Sequence, residues 1–296
     1  MKVLVIGGGG MLGHKLVQVF SREFDVFTTL RDRVETYPQF GIFDASKTYE
    51  NIDIEDIVGV EAIFEKIRPD VVVNAVGLIK QLPNAANVIE TLNINAIFPH
   101  KLAGVAAKYG SRLIFISTDC VFSGEKGNYT EDDVPDALDL YGMSKNLGEV
   151  RSDGCLTIRT SIIGRELLTK HSLVEWFLRR SGETIKGYTD AIFSGFTTLS
   201  LAEILATVIR DHADLAGIYH VSSSPISKYD LLGLIKSAYD IDVEIVQSDE
   251  VKIDRSLDSS RFRKATGITP AGLSETVERM AADPTSYEKW PKNSNE

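Results

Sequence analysis

A glycine-rich turn near the start of the chain constrains the fold more than any other stretch. Residues 3–6 are a continuous apolar run, of the kind that is buried on both faces of a parallel sheet. The run is followed by Gly7, Gly10 and Gly13, each separated by two residues, and then by an amphipathic helix pattern. A strand, a tight turn and a helix N-terminus in this order let the backbone approach a pyrophosphate closely. The spacing therefore predicts a dinucleotide-binding turn at the head of an α/β fold.

The residues after the turn exclude a Walker-type phosphate loop and leave a glycine loop without a ligand open. A Walker-type phosphate loop would end in Gly-Lys-Ser/Thr, whereas here Gly13 precedes His14 and Lys15. A bare glycine loop without a ligand stays open as the plainer interpretation. We expect His14 to be a solvated residue of the first helix.

The second predicted strand, residues 25–30, ends in Arg31, Asp32 and Arg33. In dinucleotide-binding folds an acidic side chain at this point binds the adenosine ribose of NAD, whereas an arginine accommodates the 2′-phosphate of NADP. Arg31 therefore favours NADPH. NADH is the alternative, because Asp32 one position later would restore the acidic contact, and a plain charged turn is the remaining interpretation.

Strands and helices continue to alternate beyond this point, with short connections and no internal repeats. Such alternation predicts a doubly wound parallel sheet, in which ligands bind at the C-terminal ends of the strands. Small residues at a strand end also let the backbone lie next to a flat cofactor. The candidate residues at these ends are Gly7, Asn74, Ala75, Gly77 and Thr118.

Tyr141 and Lys145 are four residues apart in a predicted helix and therefore share one face. An ammonium group beside a phenol stabilises the phenolate and lowers the tyrosine pKa. A tyrosine tuned in this way exchanges a proton with a carbonyl or hydroxyl oxygen, and Thr118, at a strand end, is placed to reach the same oxygen. Alone, the pair is commonly a chance surface pair, and it gains weight from the dinucleotide turn that precedes it.

Composition narrows the class of protein. A net charge of −10 over 296 residues argues against nucleic acid or an anionic membrane as the main partner. No apolar stretch approaches the roughly 18 residues that span a bilayer, and the apolar run at the start is too short for a signal peptide. The two cysteines, Cys120 and Cys155, form no CxxC motif, so we expect neither a metal site nor a disulfide framework. We therefore expect a soluble, cytoplasmic protein.

Five motifs together carry a resemblance to a known family. The segments GGGGMLG at 7–13, NAVG at 74–77, STDCVFSG at 117–124, YTEDD at 129–133 and YGMSK-x-x-GE at 141–149 resemble the extended short-chain dehydrogenase/reductases. Among these, the chain looks most like the dTDP-4-dehydrorhamnose reductase family, which reduces a 4-keto-6-deoxy sugar nucleotide. The likeness covers about residues 1–270, including LDSSRF at 257–262. YGxSK marks only the superfamily, whereas STDxVFxG followed by YTEDD is far more specific.

The resemblance implies a role for each matching residue. Tyr141 becomes the proton donor, Lys145 its pKa-lowering partner and a ribose ligand, and Thr118 the hydrogen-bond donor to the sugar carbonyl. Asn95 matches an asparagine that the family keeps near the active site. Asp53 and Ile54 are implied to bind the adenine. The residues implied to hold the pyrophosphate are Gly7, Gly10, Met11, Leu12 and Gly13.

Departures from the family pattern bear on the substrate. The related 4,6-dehydratases carry Thr-Asp-Glu where this chain has Thr118-Asp119-Cys120, so the glutamate that eliminates water is missing. Cys120 replaces a tyrosine that is common in the rhamnose enzymes, and residues 187–198 also differ. These departures resemble the branch that acts on UDP-linked 2-acetamido-2,6-dideoxy-4-ketohexoses. The residues assigned to the substrate pocket are Thr118, Cys120, Phe122, Phe196 and Arg255, with Arg255 on the diphosphate.

The sequence thus predicts an α/β fold, a doubly wound parallel Rossmann sheet with a smaller α/β substrate-binding lobe. We expect the dinucleotide domain at 1–160 plus about 195–222, the lobe at about 161–194 plus 223–284, and a loosely held tail at 285–296. The predicted activity is NADPH-dependent reduction of the C4 keto group of a nucleotide-linked sugar. A sugar-nucleotide epimerase with bound NAD and a non-catalytic binding subunit stay open. The helix at 171–180 packs in the lobe core, lines the sugar pocket or forms a homodimer contact.

Overall fold

The computed structural model describes residues 1–80 and 82–287, without the side chains of Pro83 and Asn84. Its strands are β1 (Lys2–Ile6), β2 (Asp25–Thr29), β3 (Thr48–Tyr49), β4 (Val71–Asn74), β5 (Arg112–Ile116), β6 (Cys155–Arg159), β7 (Ile162–Ile163), β8 (Thr184–Tyr188), β9 (Ala191–Phe193), β10 (Phe196–Thr197), β11 (Gly217–His220), β12 (Ile226–Ser227), β13 (Glu244–Ser248) and β14 (Ile253–Asp254). Its α-helices are α1 (Gly13–Phe20), α2 (Ile57–Ile67), α3 (Val88–Leu92), α4 (Phe98–Tyr109), α5 (Leu140–Leu147), α6 (Leu173–Leu178), α7 (Thr198–Asp211), α8 (Lys228–Tyr239), α9 (Ser260–Thr266) and α10 (Leu273–Ala281).

Seven strands form the main sheet, in the order β11-β6-β5-β4-β1-β2-β3, and every neighbouring pair is parallel. The chain runs outward from β1 through β2 to β3 and then crosses back to β4 on the other side of β1. The strand order therefore reverses between β1 and β4, which is where ligands bind in open α/β sheets. The predicted doubly wound parallel sheet is confirmed.

Alternation along β1 explains why helices cover both faces. Val3 and Val5 belong to one buried cluster, packed with α1 and α7. Leu4 and Ile6 belong to another, packed with α2 and α4. Successive side chains of a strand point to opposite faces, so a continuous apolar run buries itself on both sides and fixes this strand at the centre of the sheet.

A separate cluster lies away from the main sheet and is built from α6, α8 and α10. The three-stranded sheet β12-β9-β14 and the pair β13-β8 accompany it. Its buried members come from the two segments that the sequence assigned to the substrate lobe. The exact domain limits stay a prediction.

Residues near the C-terminus correct two expectations. His14 is fully buried rather than solvated, and its Nε2 lies 2.7 Å from the Tyr287 hydroxyl. Lys15 pairs with Asp283 at 2.6 Å, and both side chains are largely buried. Residues 285–287, predicted to begin a loose tail, instead pack against α1. Thr285 and Tyr287 accept from or donate to side chains in the first turn of this helix. Residues 288–296 of the predicted tail lie outside the described residues.

Among the described residues, no helix has the length and apolarity to span a membrane.

Candidate active site

The glycine turn leaves room and donors for an anion. Gly7 follows β1 at φ +89°, and a Cβ on Gly13 would collide with the Gly7 carbonyl, so α1 starts tight against the strand. A Cβ on Gly10 would meet only that carbonyl, at 3.4 Å, so its other side faces open space. In the described part of the chain, no acceptor pairs with the backbone N–H groups of Met11 and Leu12. Unpaired amides at a helix start bind phosphate, and the turn therefore fits a pyrophosphate.

The end of β2 separates the two charged candidates. Arg31 is exposed, whereas Asp32 is half-buried and accepts a hydrogen bond from the Tyr37 hydroxyl at 3.1 Å. That hydroxyl would stand 2.7 Å from a Cβ on Gly9, so Tyr37 holds Asp32 close to the glycine turn. Burial and the Asp32 carboxylate raise the pKa of Tyr37 to about 12. Both charged side chains thus lie just after β2, where dinucleotide-binding folds contact the adenosine ribose of the cofactor.

The adenine candidates lie at the same edge of the sheet. Ile52 donates to the Leu30 carbonyl at 2.9 Å, which holds this segment beside the end of β2. Asp53 Oδ1 accepts from the Glu55 amide at 2.9 Å, and Ile54 packs on the α2 side of the core. The turn therefore presents an acid and an apolar side chain next to each other.

The end of β4 contributes an unsatisfied donor. Asn74 is fully buried, and its Oδ1 accepts from the Val76 amide at 3.1 Å. Its Nδ2 has no hydrogen-bond partner among the described residues. An orphaned buried donor is costly, and one at the strand end that flanks the crevice also fits a ligand there. Ala75 donates to the Ile6 carbonyl at 3.1 Å and keeps β4 in register with β1.

Thr118, Tyr141 and Lys145 come together after β5. Thr118 caps the short turn at 119–121 by accepting from the Cys120 amide at 3.1 Å, and it is near enough to Tyr141 to act on the pKa of the phenol. Helix α5 approaches closely because Gly142 has no side chain: a Cβ there would collide with the Cys120 carbonyl. Lys145 Nζ donates to the Ile116 carbonyl at 2.7 Å and lies 3.8 Å from the position of a Cβ on Gly77. The three side chains therefore share the crevice between β4 and β5.

Burial dominates the electrostatics of this group. It raises the pKa of Tyr141 above the ordinary tyrosine value, and the nearby Cys120 acts in the same direction while Thr118 opposes it. Burial also lowers the pKa of Lys145 to about 7, against the opposing effect of Glu149. The predicted lowering of the Tyr141 pKa by Lys145 is not found in this structure, because burial of the phenol has the larger effect and raises the pKa.

A π-helical turn at Asn93–Ile97, between α3 and α4, positions Asn95. Its Oδ1 accepts from the Leu78 amide at 2.8 Å, and its Nδ2 donates to the Leu78 carbonyl at 3.0 Å and to Ser144 Oγ at 3.1 Å. Asn95 is buried and clamps the loop after β4 to α5. The sequence placed Asn95 near the active site but gave no signal for the π-helical turn, which is frequent at functional sites.

The substrate candidates divide into accessible and inaccessible residues. Cys120 is half-buried, and burial raises the pKa of its thiol to about 11, which makes it a poor nucleophile. Arg255 is half-buried and donates from Nε to the Phe122 carbonyl at 2.7 Å. Phe122 and Phe196 are fully buried, so their predicted contact with substrate is wrong: Phe122 stacks on Tyr129, and Phe196 lies in the core of the main sheet.

Two residues to which the sequence analysis gave no individual role support the site. Lys80 Nζ pairs with Asp139, the N-cap residue of α5, at 2.8 Å and lies 5.5 Å from the Tyr141 ring centre. The hydroxyl of Tyr129, in the YTEDD segment, accepts from the amides of Gly124 and Lys126, each at 3.1 Å. This motif therefore fastens the loop that carries Phe122. Over residues 1–80 and 82–287, no group of three or more His, Cys, Asp or Glu could hold a metal ion.

The chain is similar to several known proteins. A family model described as the RmlD substrate binding domain matches residues 1–282. The spore coat polysaccharide biosynthesis protein SpsK of Bacillus subtilis (strain 168) is 31% identical over 237 residues, covering 77% of this chain and 75% of that protein. A dTDP-4-dehydrorhamnose reductase of Aggregatibacter actinomycetemcomitans is 25% identical over 241 residues, covering 77% and 76%.

Two further matches differ in what they cover. The beta subunit of methionine adenosyltransferase 2 from Mus musculus is 34% identical over 151 residues, which is 50% of this chain and 41% of that protein. The crystal structure of a dTDP-4-dehydrorhamnose reductase from Bacillus anthracis str. Ames, in complex with NADP, superposes with a TM-score of 0.78. It is 23% identical and covers 94% of this chain and 98% of its own, so this likeness shows the shared fold.

Proposed function

The chain belongs to the family of the RmlD substrate binding domain, and from this membership we propose that it acts on a sugar nucleotide as a reductase. The proposed reaction is reduction of the C4 keto group of a nucleotide-linked 4-keto-6-deoxyhexose. The observation that carries the proposal is the meeting of Thr118 and Tyr141 beside Lys145, at the strand ends next to the glycine turn.

The proposed cofactor is NADPH, with NADH as the alternative. The turn from Gly7 to Gly13 would hold its pyrophosphate, Arg31 or Asp32 its adenosine ribose, and the segment at Asp53 its adenine. When bound, the cofactor supplies the hydride. The orphaned donor of Asn74 and the unpaired amides of Met11 and Leu12 support a polar, phosphate-bearing ligand at this crevice.

The proton chemistry follows from the environment of Tyr141. Because burial raises its pKa, the phenol is fully protonated at neutral pH and holds the proton that the reduced carbonyl oxygen needs. As hydride reaches C4, the carbonyl π electrons move to oxygen, and Tyr141 donates its proton to that oxygen. When substrate binds, the Thr118 hydroxyl would turn its single proton from Asp119 Oδ1 to the same oxygen and stabilise the developing negative charge. The ammonium form of Lys145 would stabilise the phenolate that Tyr141 leaves behind.

The nucleotide and the C2 substituent distinguish two proposed substrates. One is of the dTDP-4-dehydrorhamnose type, and the other is a UDP-linked 2-acetamido-2,6-dideoxy-4-ketohexose. The half-buried Cys120 and the segment 187–198 support the second, because both differ from the rhamnose pattern. The relatives named as a spore coat polysaccharide biosynthesis protein and a dTDP-4-dehydrorhamnose reductase support a role in making sugars for surface polysaccharides.

A binding subunit is the second candidate, favoured by the match to the beta subunit of methionine adenosyltransferase 2 over half of the chain. A sugar-nucleotide epimerase with tightly bound NAD is a third, and it would depend on Asp32 in place of Arg31. The catalytic and binding alternatives differ in what they require of the Tyr141 hydroxyl: a reductase needs its proton, whereas a binding subunit does not.

The test follows oxidation of the reduced cofactor by its absorbance, with the dTDP-linked and the UDP-linked 4-keto sugars offered in parallel. We expect turnover with one of them, and Tyr141→Phe to lower kcat by about 10²–10⁴-fold with cofactor affinity unchanged. Tyr109→Phe, at the far end of α4, is the matched control and should keep full activity. Cofactor binding without turnover on either substrate would favour the binding subunit, and release of NAD from the purified protein would favour the epimerase.

A further inference from the structure

Two hydrogen bonds in series connect the C-terminal segment to the glycine turn. The buried Tyr287 hydroxyl lies 2.7 Å from Nε2 of His14, and Nδ1 of the same ring lies 2.9 Å from the Gly10 carbonyl oxygen. Because a carbonyl oxygen can only accept, Nδ1 carries the proton and donates to Gly10. Burial keeps the ring neutral, since it lowers the pKa of His14 to about 3. Nε2 therefore has no proton and accepts from the Tyr287 hydroxyl.

The direction of the Gly10 carbonyl sets the direction of the next amide. The peptide bond between Gly10 and Met11 is trans, so its C=O and its N–H point in opposite directions. The carbonyl accepts from the His14 ring and also from the His14 amide, at 3.2 Å. The Met11 N–H therefore points away from His14, and no acceptor pairs with it in the described part of the chain. It is one of the two free amides that fit a pyrophosphate.

Neighbouring side chains fix the Tyr287 ring in place. The Arg165 guanidinium lies 4.8 Å from the ring centre, and the Lys15 ammonium lies 5.1 Å from it. The ring also packs in one buried cluster with Leu30 and Tyr37, beside the turn after β2. A hydroxyl on a ring held in this way has one direction to donate, and it donates to His14.

We propose that Tyr287 is a positioning residue for the dinucleotide cofactor. Its hydroxyl holds His14 in the tautomer that donates to Gly10, and the Gly10 peptide in turn directs the Met11 N–H toward the pyrophosphate. Without that hydroxyl, the ring proton is free to move to Nε2, which releases the Gly10 carbonyl. This inference rests on the proposed function, because it concerns the cofactor of that reaction.

The first measurement reads the tautomer of His14 in the cofactor-free protein, from the nitrogen chemical shifts of isotope-labelled histidine. The chain has five histidines, so His14→Gln identifies the signals of this ring by their loss. We expect the Nδ1–H tautomer in the parent protein. Tyr287→Phe keeps the aromatic ring and removes only the hydroxyl, and we expect a large share of the Nε2–H tautomer in this variant.

The second measurement is the affinity for NADPH and for NADH, each titrated by calorimetry. Tyr287→Phe should raise the Kd of the tighter-binding cofactor about three- to tenfold, as for the loss of one buried hydrogen bond. In a His14→Gln background the same substitution should cause no further loss, because the two residues act in series.

Thr285→Val is the matched control in the same segment. The Thr285 hydroxyl accepts from Lys15 at 3.1 Å and from Gln18 at 2.9 Å, so it anchors the segment to α1 without His14. This variant should keep the tautomer and the Kd of the parent.

A Tyr287→Phe protein with the tautomer or the Kd of the parent overturns the assignment, while cofactor binding and keto-sugar reduction by the parent keep the proposed function. Equal weakening in Tyr287→Phe and Thr285→Val also overturns it, because attachment of the segment alone would then explain both. If the parent binds neither cofactor, the assignment and the proposed function fail together.

Discussion

The Lys145 ammonium donates a hydrogen bond to the carbonyl oxygen of Ile116, the last residue of β5, at 2.7 Å. This bond ties the last turn of α5 to the strand that precedes Thr118. The hydrogen bond does not fully compensate the ammonium for its lost hydration. Burial therefore still lowers the pKa of Lys145 to about 7. The side chain is therefore held in place at a cost to the stability of the fold.

Lys145→Met should stabilise the protein at pH 7 while abolishing turnover. The folded pKa of about 7 lies below the ordinary lysine value of 10.5, so the native state binds fewer protons between these values. Stability is therefore lowest below pH 7 and rises as the pH rises toward 10.5. Removing the buried ammonium should raise the free energy of unfolding at pH 7 by about 1–3 kcal/mol, measured by urea denaturation.

The control for this substitution is Lys101→Met, on the exposed face of α4. We expect it to change the free energy of unfolding by less than about 0.5 kcal/mol. If Lys145→Met were no more stable than the parent at pH 7, the hydrogen bond to Ile116 would outweigh the burial of the charge.

Thr118→Val should lose turnover because valine lacks the hydroxyl, whereas Thr118→Ser keeps a hydroxyl and should keep most of the turnover. The Thr118 hydroxyl accepts from the Cys120 amide at 3.1 Å and donates to Asp119 Oδ1 at 3.1 Å. Valine has the same shape without these bonds, and we expect kcat to fall about 10²-fold from loss of the donor to the reacting oxygen. Equal kcat for valine and serine would remove Thr118 from the reaction.

Local patterns in the sequence were sufficient for the parts of the fold that depend on neighbours along the chain. The alternation of Val3 and Val5 with Leu4 and Ile6 predicts a strand covered on both faces, and the spacing from Gly7 to Gly13 predicts the tight start of α1. The convergence of candidate residues at the strand ends followed from parallel topology alone.

Contacts between distant segments could not be predicted in the same way. His14 is buried because Tyr287, 273 residues later, covers it, and no pattern around His14 indicates that partner. Phe196 was predicted to line the substrate pocket, but β10 places it in the main core. The π-helical turn at Asn95 is likewise set by packing, since the Asn95 carbonyl lies against Gly148, the C-cap residue of α5.

Arg31 and Asp32 lead to opposite expectations for the cofactor, which kinetics can separate. Arg31 is exposed beside the turn, while Asp32 is held toward Gly9 by Tyr37. If Arg31 binds a 2′-phosphate, Arg31→Ala should raise KM for NADPH about tenfold with little change for NADH. If Asp32 binds the ribose, Asp32→Asn should raise KM for NADH instead. Arg22→Ala, in the exposed turn after α1, is the charge-matched control and should alter neither KM.

Two buried histidines should make the fold sensitive to mild acid. Burial lowers the pKa of His14 to about 3 and that of His220 to about 4, and Lys15 and Arg159 respectively act in the same direction. Each ring is held neutral: His14 accepts from the Tyr287 hydroxyl at 2.7 Å, and His220 lies 3.3 Å from Arg159 Nη1. The unfolded chain protonates near pH 6.5, so stability is complete above that pH and falls as the pH drops toward 4.

The expected loss is about 2 kcal/mol for each histidine between pH 7 and pH 5, read from urea denaturation at the two pH values. This window lies above the range in which the surface carboxylates with lowered pKa, such as Asp133 at about 2, take up protons. His14→Gln and His220→Gln should each be less stable than the parent at pH 7 but lose less stability on acidification. His100→Gln, on an exposed face of α4, should keep the full pH dependence. An unchanged acid response in both buried-site variants would mean that other groups control it.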